Sequence, residues 1–216
     1  MILLFHVTKY YLNKQPVLSD INLNIKKGEF VFIVGPVGAG KTTLLKLLSF
    51  LEMPNEGQII IDGRNIAKFK KSDILYFRRK IGLISQDFRL LPNRTLSENI
   101  AVSMKISGCD KRDIIKRGKS ILRYVGLEGK KDVLPCHLSG GEQQKACIAR
   151  ALVNNPVILL ADEPTVNLDP ESSDEIISLF KDINLKGTTI VVATHNRKIS
   201  NKNRVISLNK GRISES

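Results

Sequence analysis

Short apolar runs recur along the chain, separated by stretches with helical spacing. Together they predict a sheet laid down strand by strand with helices between. FVFIVG (30–35) is apolar throughout and ends on glycine, the pattern of a buried strand that feeds a turn. VILLADE (157–163) and TIVVATH (189–195) repeat this pattern, and RRKIGLISQD (78–87) carries a shorter run. Between the first two of these lies ESSDEIISLFKDIN (171–184), an amphipathic helix, which completes a βαβ unit and predicts a parallel sheet. KTTLLKLLSFLE (41–52) has helical spacing directly after the glycine turn. The early segments ILLFHVTKYY and LSDINLNIKKGEF mix polar and apolar positions and read as two strands. GQIIIDG (57–63) joins them in a hairpin-like layer. From about Arg89 to Cys136 the pattern turns helical and basic, with DKRDIIKRGKSILRYVGL (110–127) as its clearest helix. The expected class is α/β: a mostly parallel sheet core, a small antiparallel β lobe over 1–30 and 57–70, and an inserted helical lobe over 89–137. All of it forms one domain over residues 1–216, with no internal repeat or long linker.

Composition narrows the classes. With 216 residues and 42% hydrophobic content, the chain can bury a full core. Its net charge of +13 suits nucleic acid, anionic lipid or a bound polyanion. The densest basic window, Arg64 to Lys80, opposes seven cations with Asp73 alone, and reads either as a solvated face or as an anion-facing surface. Cys109, Cys136 and Cys147 lack CxxC spacing and nearby ligands. That argues against a disulfide framework or structural zinc and fits a reducing cytoplasm. The N-terminus has no positively charged start or long apolar run, so no signal peptide is expected. No stretch approaches the roughly 18 apolar residues of a membrane span, so work at a membrane would need another protein as anchor. The chain ends soon after VISLNKGRISES, and no C-terminal regulatory domain is expected.

Three segments carry chemistry. GPVGAGKTT (35–43) fits G-x-x-x-x-G-K-[ST] between a buried strand and a helix. The loop Gly35, Pro36, Val37, Gly38, Ala39 and Gly40 would cradle phosphate, with the backbone N–H groups of every residue but Pro36 free to donate, helped by the helix start. Lys41 would reach the β and γ phosphates, Thr42 would ligate Mg²⁺, and Thr43 could donate to phosphate. VILLADEP places Asp162 and Glu163 at the carboxyl end of a strand, where the crevice of a parallel sheet lies. Asp162 suits Mg²⁺, and Glu163 suits polarisation of an attacking water. LSGGEQQ (138–144) opens a helix with Ser139 as cap, Gly140 and Gly141 exposing N–H groups, and Glu142 following. Two phosphate-binding elements in one chain raise the possibility of one nucleotide shared between two subunits. His6 and His137 read as structural, whereas His195 follows the apolar run TIVVAT into the same crevice.

In combination and order, GPVGAGKTT, LSGGEQQ, LLADEPTVNLD and ATH resemble the ATP-binding subunits of ABC-type ATPases, a P-loop NTPase family, over essentially the whole chain. The resemblance implies a head-to-tail homodimer formed with ATP. Each ATP would lie between one phosphate loop and the partner's Ser139, Gly140, Gly141 and Glu142. Asn167, Leu168 and Asp169 would link the two sites, with Asp169 near the nucleotide. It further implies His195 at the γ-phosphate, Gln86 on Mg²⁺ and the attacking water, and adenine stacked on Tyr11, with Tyr10 as its rival. ISQDFRLLPNRTLSENI (84–100) has no obvious nucleophile or acid/base pair. By resemblance, the part after Gln86 faces a membrane partner, and its wording is similar to the FtsE-type cell-division branch. That branch implies an integral membrane partner of the four-span FtsX type, a location on the cytoplasmic face of the bacterial inner membrane, and control of cell-wall hydrolases. Lipoprotein-release and macrolide-efflux subunits share every catalytic motif and stay open as alternatives. A nucleic-acid partner is not expected, because each motif occurs once and no coiled-coil insertion fits. Val37, Val166, Asn196 and Lys145 stand where the family usually has Ser, Gly, Asp and Arg. The first two give some footing to an ATP-binding adaptor with little turnover. Lys41, Thr42, Asp162, Glu163 and His195 are all intact, so activity is expected.

Overall fold

The computed structural model describes residues 1–12, 15–197 and 203–215. In chain order its strands are β1 (Ile2–Tyr10), β2 (Pro16–Ile25), β3 (Phe30–Val34), β4 (Glu56–Ile61), β5 (Arg64–Asn65), β6 (Ile81–Ile84), β7 (Ile158–Asp162), β8 (Thr189–Thr194), β9 (Arg204–Asn209) and β10 (Arg212–Glu215). The helices are α1 (Lys41–Leu48), α2 (Lys71–Arg79), α3 (Leu96–Ile106), α4 (Lys111–Tyr124), α5 (Gly140–Leu152) and α6 (Pro170–Leu185).

Six strands form the central sheet in the order β10-β9-β3-β8-β7-β6. Pairing is parallel except at the β9–β10 edge. β3 is apolar at every position because both of its faces are covered. Val31 and Ile33 pack with Leu44 and Leu48 of α1, while Phe30, Phe32 and Val34 pack with Ile148 of α5 and Phe180 of α6. This is the two-sided burial that a parallel strand between helix layers requires.

A second sheet, β2-β1-β4-β5, is antiparallel. β4 pairs with β5 on one side but with neither β2 nor β3 on the other. It lies along β1 in the register Ile2↔Ile61, so the hairpin-like layer is closed by a long-range pairing. The inward side chains Ile59 and Ile61 share the core of α1. A third core, with Leu96, Ile100, Met104, Leu122 and Ala149, joins α3 and α4 to α5.

Four elements differ from the expectation. α1 stops at Leu48 rather than running to residue 52, because Phe50 takes φ 58° and is buried against Phe69 and Phe77. The basic window folds partly into α2, which buries only Phe77 and turns its cations outward. β9 and β10 extend the sheet at an edge that the pattern had not marked. Among the described residues, no helix is long and apolar enough to cross a membrane.

Candidate nucleotide site

β3 delivers the chain to the carboxyl edge of the sheet at Gly35, and the loop Gly35–Gly40 leads into α1. Gly40 caps that helix at φ 102°, and no side chain caps the helix. The first-turn N–H groups are therefore left for an anion. Glycine is required at position 40 twice over. Its φ is left-handed, and a Cβ there would lie 2.8 Å from Leu18 Cδ2 and 2.9 Å from the Val17 carbonyl oxygen. Lys41 folds back over the loop, its Nζ donating to the carbonyls of Gly35 at 2.8 Å and Pro36 at 3.2 Å.

β7 and β8 end beside β3 and bring the acids and the histidine to this loop. Glu163 Oε1 lies 3.3 Å from Lys41 Nζ and 3.0 Å from His195 Nδ1. Glu163 holds φ 46°, and its N–H donates to the Ala193 carbonyl at 2.8 Å. Few non-glycine residues hold that region, which costs backbone strain. Asp162 is buried, and the Thr42 side chain hydrogen-bonds to it. Burial pushes its carboxyl above the usual range. The Thr42 bond opposes this, while the charges of Glu163 and Asp87 add to it. Among the described residues, its Oδ1 has no hydrogen-bond partner.

Gln86, Thr42, Asp162, Glu163, Val166 and His195 line one cavity of ≈ 310 Å³ with the phosphate loop. A cleft of ≈ 650 Å³ between α4 and the ends of α5 and α6 is larger but touches none of them. Convergent polar groups, not size, mark the site. Among the described residues, no group of three His, Cys, Asp or Glu could hold a metal ion. The donor set is instead one carboxylate, one hydroxyl and one amide, from Asp162, Thr42 and Gln86. That set suits Mg²⁺, which draws its remaining ligands from phosphate and water, and the orphaned Asp162 oxygen is an acceptor such a cation would satisfy.

The Asp162 environment has a pH signature. Folding raises its pKa, so the native state binds this proton more readily than the unfolded chain. The carboxyl favours the fold while protonated, and that contribution is lost as pH rises from the unfolded value through the folded one. Asp162→Asn should therefore raise the melting temperature of the chain without nucleotide near neutral pH and have little effect in acid. It should also remove the Mg²⁺-dependent part of stabilisation by ATP. Calorimetry across that pH range checks this, and a difference that grows toward acid would contradict it.

Tyr11 stands beside the first turn of α1. Its hydroxyl donates to Glu52 Oε2 at 2.7 Å and lies 3.5 Å from Thr43 Oγ1, with its ring half exposed. Tyr10 ends β1, its N–H donating to Asn55 Oδ1 at 3.1 Å. Of the two rivals, Tyr11 is the one tied to the phosphate-loop helix.

The residues of LSGGEQQ (138–144), the signature stretch, lie elsewhere. Ser139 and Glu142 form a capping box at the start of α5, and Glu142 also pairs with Lys130. The Lys130 ammonium, then the Ser139 N–H, hold the Glu142 carboxyl below its usual range. Asp169 caps α6, accepting from the Ser172 N–H at 2.8 Å and the Ser172 hydroxyl at 2.7 Å. A Cβ on Gly141 would meet Ser172 Oγ at 2.9 Å, and one on Gly140 would meet Leu168 Cδ2 at 3.4 Å. The glycines thus let the signature turn pack against the Asn167–Asp169 turn of the same chain. None of Ser139, Gly140, Gly141, Glu142 or Asp169 lines the phosphate-loop cavity.

Some organising residues escaped the sequence pattern. Asn99 is buried. Its Oδ1 accepts from the Leu91 N–H, and its Nδ2 donates to the carbonyls of Leu91, Arg94 and Thr95. It knots the stretch after Gln86 onto α3. The Thr95–Glu98 capping box is the signal that could have located this turn.

Residues 18–166 match the family model described as ABC transporter. The chain is 46% identical over 209 residues to the cell division ATP-binding protein FtsE of Streptococcus pneumoniae serotype 2, covering 96% of this chain and 91% of that protein. It is 46% identical over 217 residues to the protein of the same name from Mycobacterium tuberculosis, covering 99% and 94%. Among solved structures, it resembles the dimeric ATP-binding cassette MJ0796 in a post-hydrolysis state bound to ADP and Pi. That match has a TM-score of 0.90 and 37% identity, and covers 100% of this chain and 97% of that one.

Proposed function

The chain belongs to the ABC transporter family, and from that premise we propose that it is the ATP-hydrolysing subunit of a membrane-bound bacterial cell-division complex. It is an ATPase of the ABC type, converting ATP and water to ADP and phosphate. One observation carries the site assignment: Glu163 sits over the phosphate loop between Lys41 and His195, in the cavity that also holds Gln86 and Asp162.

Phosphoryl transfer asks mainly for positioning and charge. The open start of α1 and the ammonium of Lys41 neutralise the β and γ phosphates. Thr42, Asp162 and Gln86 would hold Mg²⁺, which supplies charge neutralisation at the phosphates. Glu163 accepts the proton of the water that attacks the γ-phosphorus, as the bond to the ADP oxygen breaks. His195 steadies Glu163 and reaches the γ-phosphate, and Tyr11 stacks on adenine. The intact Lys41–Glu163–His195 group favours turnover over an adaptor that only clamps ATP. Val37 is 90% exposed, so the family's missing hydroxyl there disturbs no packing.

Ser139, Gly140 and Gly141 lie outside the cavity of their own chain, which supports a head-to-tail homodimer in which a second copy completes each site. Turnover per subunit should then rise with protein concentration and level off. A flat profile would refute the composite site.

The membrane partner, of the FtsX type, would dock beside residues 89–99. A groove of ≈ 390 Å³ is lined by Arg150, which bonds the Arg89 carbonyl, and its rim carries Leu75 and Ile106, which are 57% and 69% exposed. The chain would thus be peripheral at the cytoplasmic face, held by that partner. Crosslinking in native membranes from positions 89–99, read by mass spectrometry, tests this. A four-span protein with a large outer domain supports the cell-division reading. A lipoprotein-releasing or efflux permease keeps the ATPase and overturns the biology.

A further inference from the structure

Phe88 and Arg89 follow Gln86 by two and three residues and hold φ 54° and 53°. Neither residue type favours the left-handed region, and two in succession persist only when the surroundings hold them. The hold comes from α5. Arg150 Nη1 donates to the Arg89 carbonyl at 2.6 Å, and Arg150 Nη2 donates to the Phe88 carbonyl at 3.0 Å. Cys147 Sγ donates to the same Phe88 carbonyl at 2.9 Å. Burial pushes the Cys147 thiol up to about 12, so it stays a protonated donor near neutral pH. On the other side, the Arg89 N–H turns back onto the Asp87 carbonyl. A second cavity, ≈ 140 Å³, is lined by Arg89 together with Thr42, Gln86 and Asp162, so the held turn borders the donor set itself.

We propose that Arg150 is a positioning residue for ATP hydrolysis: with Cys147, it ties the signature helix to the backbone after Gln86 and so sets where the Gln86 amide stands. The proposal rests on the reading of Gln86 as a ligand of Mg²⁺ and the attacking water. The 13-residue helix α5 is a rod about 20 Å long. Its first turn carries Ser139–Gly141, and its last turns carry Cys147 and Arg150. A shift of the first turn against nucleotide therefore moves the clamp as well. A planar guanidinium can hold two successive carbonyls at once, which an ammonium on a flexible stem does not do. Release of the clamp lets Phe88 and Arg89 relax toward ordinary φ and carries Gln86 out of place.

The test is a double-mutant cycle on the full chain. Single-turnover phosphate release would be followed with saturating ATP and Mg²⁺, at protein concentrations where the wild type hydrolyses. Arg150→Ala should slow the step about 10- to 100-fold, with the affinity for a fluorescent ATP analogue within about twofold of wild type. Arg150→Lys should fall nearly as far. Gln86→Ala should fall at least as far, and the double variant should match Gln86→Ala alone, because the two residues act on one step. Falls that multiply would overturn the proposal and leave Gln86 in its role. Loss of analogue binding in Arg150→Ala would make Arg150 a folding residue and also overturn it. A wild-type rate in Gln86→Ala would refute the assignment of Gln86, and the proposal with it. Cys147→Val keeps apolar volume and removes the donor. It should slow the step a few-fold in the wild-type background and not at all beside Gln86→Ala.

Discussion

Glu163→Gln is expected to slow phosphate release by about 10²- to 10⁴-fold while ATP still binds. The amide keeps the shape of the side chain and can still accept from Lys41 and His195, which lie 3.3 Å and 3.0 Å from Oε1. It cannot take a proton from water. The substitution also removes a negative charge beside Lys41, in a cavity that must receive a polyanion, so affinity for ATP should hold or tighten. Without hydrolysis the ATP-joined dimer has no route apart except ATP release. Light scattering after ATP addition should therefore show a lasting dimer in the variant and a transient one in the wild type. Unchanged phosphate release would remove Glu163 from the chemistry and reopen the adaptor reading.

Gly35→Ala should have the largest effect on the fold of the phosphate loop. A Cβ at this position would sit 2.0 Å from the Leu208 carbonyl oxygen and 3.1 Å from Ala39 Cβ. Leu208 belongs to β9, which is paired with β3 up to Val34↔Ser207, so the carbonyl can retreat only by opening the sheet next to the loop. Overpacking of a close-fitted interior destabilises by about 1–3 kcal/mol and sometimes more. In a chain of this size each kcal/mol lowers the melting temperature by about 2–4 °C. ATP binding should be lost together with stability, because the cradle itself is displaced. Gly38→Ala is the informative contrast. Its φ is 79°, but a Cβ there meets nothing within 4 Å. The penalty is then the left-handed backbone alone, about 1–2 kcal/mol. Thermal melts and nucleotide titrations of both variants decide the matter. Equal, small shifts would mean that the β9 carbonyl does not limit the loop.

The elements legible in the pattern were those whose burial leaves few polar positions. β3, β7 and β8 are buried at every position because helices cover both faces, with polar residues only at the ends of β7 and β8, and α6 shows its apolar stripe plainly. α2 was not legible, because cations crowd a helix that buries only Phe77. β9 and β10 were missed for another reason: β10 is the short edge strand, and β9 beside it alternates buried and half-buried positions. β4 was recognised as a strand in one layer with the N-terminal segments, but its register along β1, Ile2↔Ile61, spans more than fifty residues and was not legible.

The site divides in the same way. The residue types that handle phosphate announce themselves, since a glycine loop before a helix and acids after a buried strand have few other uses. From such local requirements the sequence by itself determined most strands of the core, the choice of Lys41, Thr42, Asp162 and Glu163 as candidates, and the resemblance to a family. Only the tertiary structure decided that Lys41, Glu163 and His195 meet, that Glu142 and Asp169 serve as helix caps within their own chain, and that Arg150 holds the turn after Gln86. Those contacts join residues far apart along the chain. They depend on which strand lies beside which, and the pattern within one strand carries no record of its neighbour.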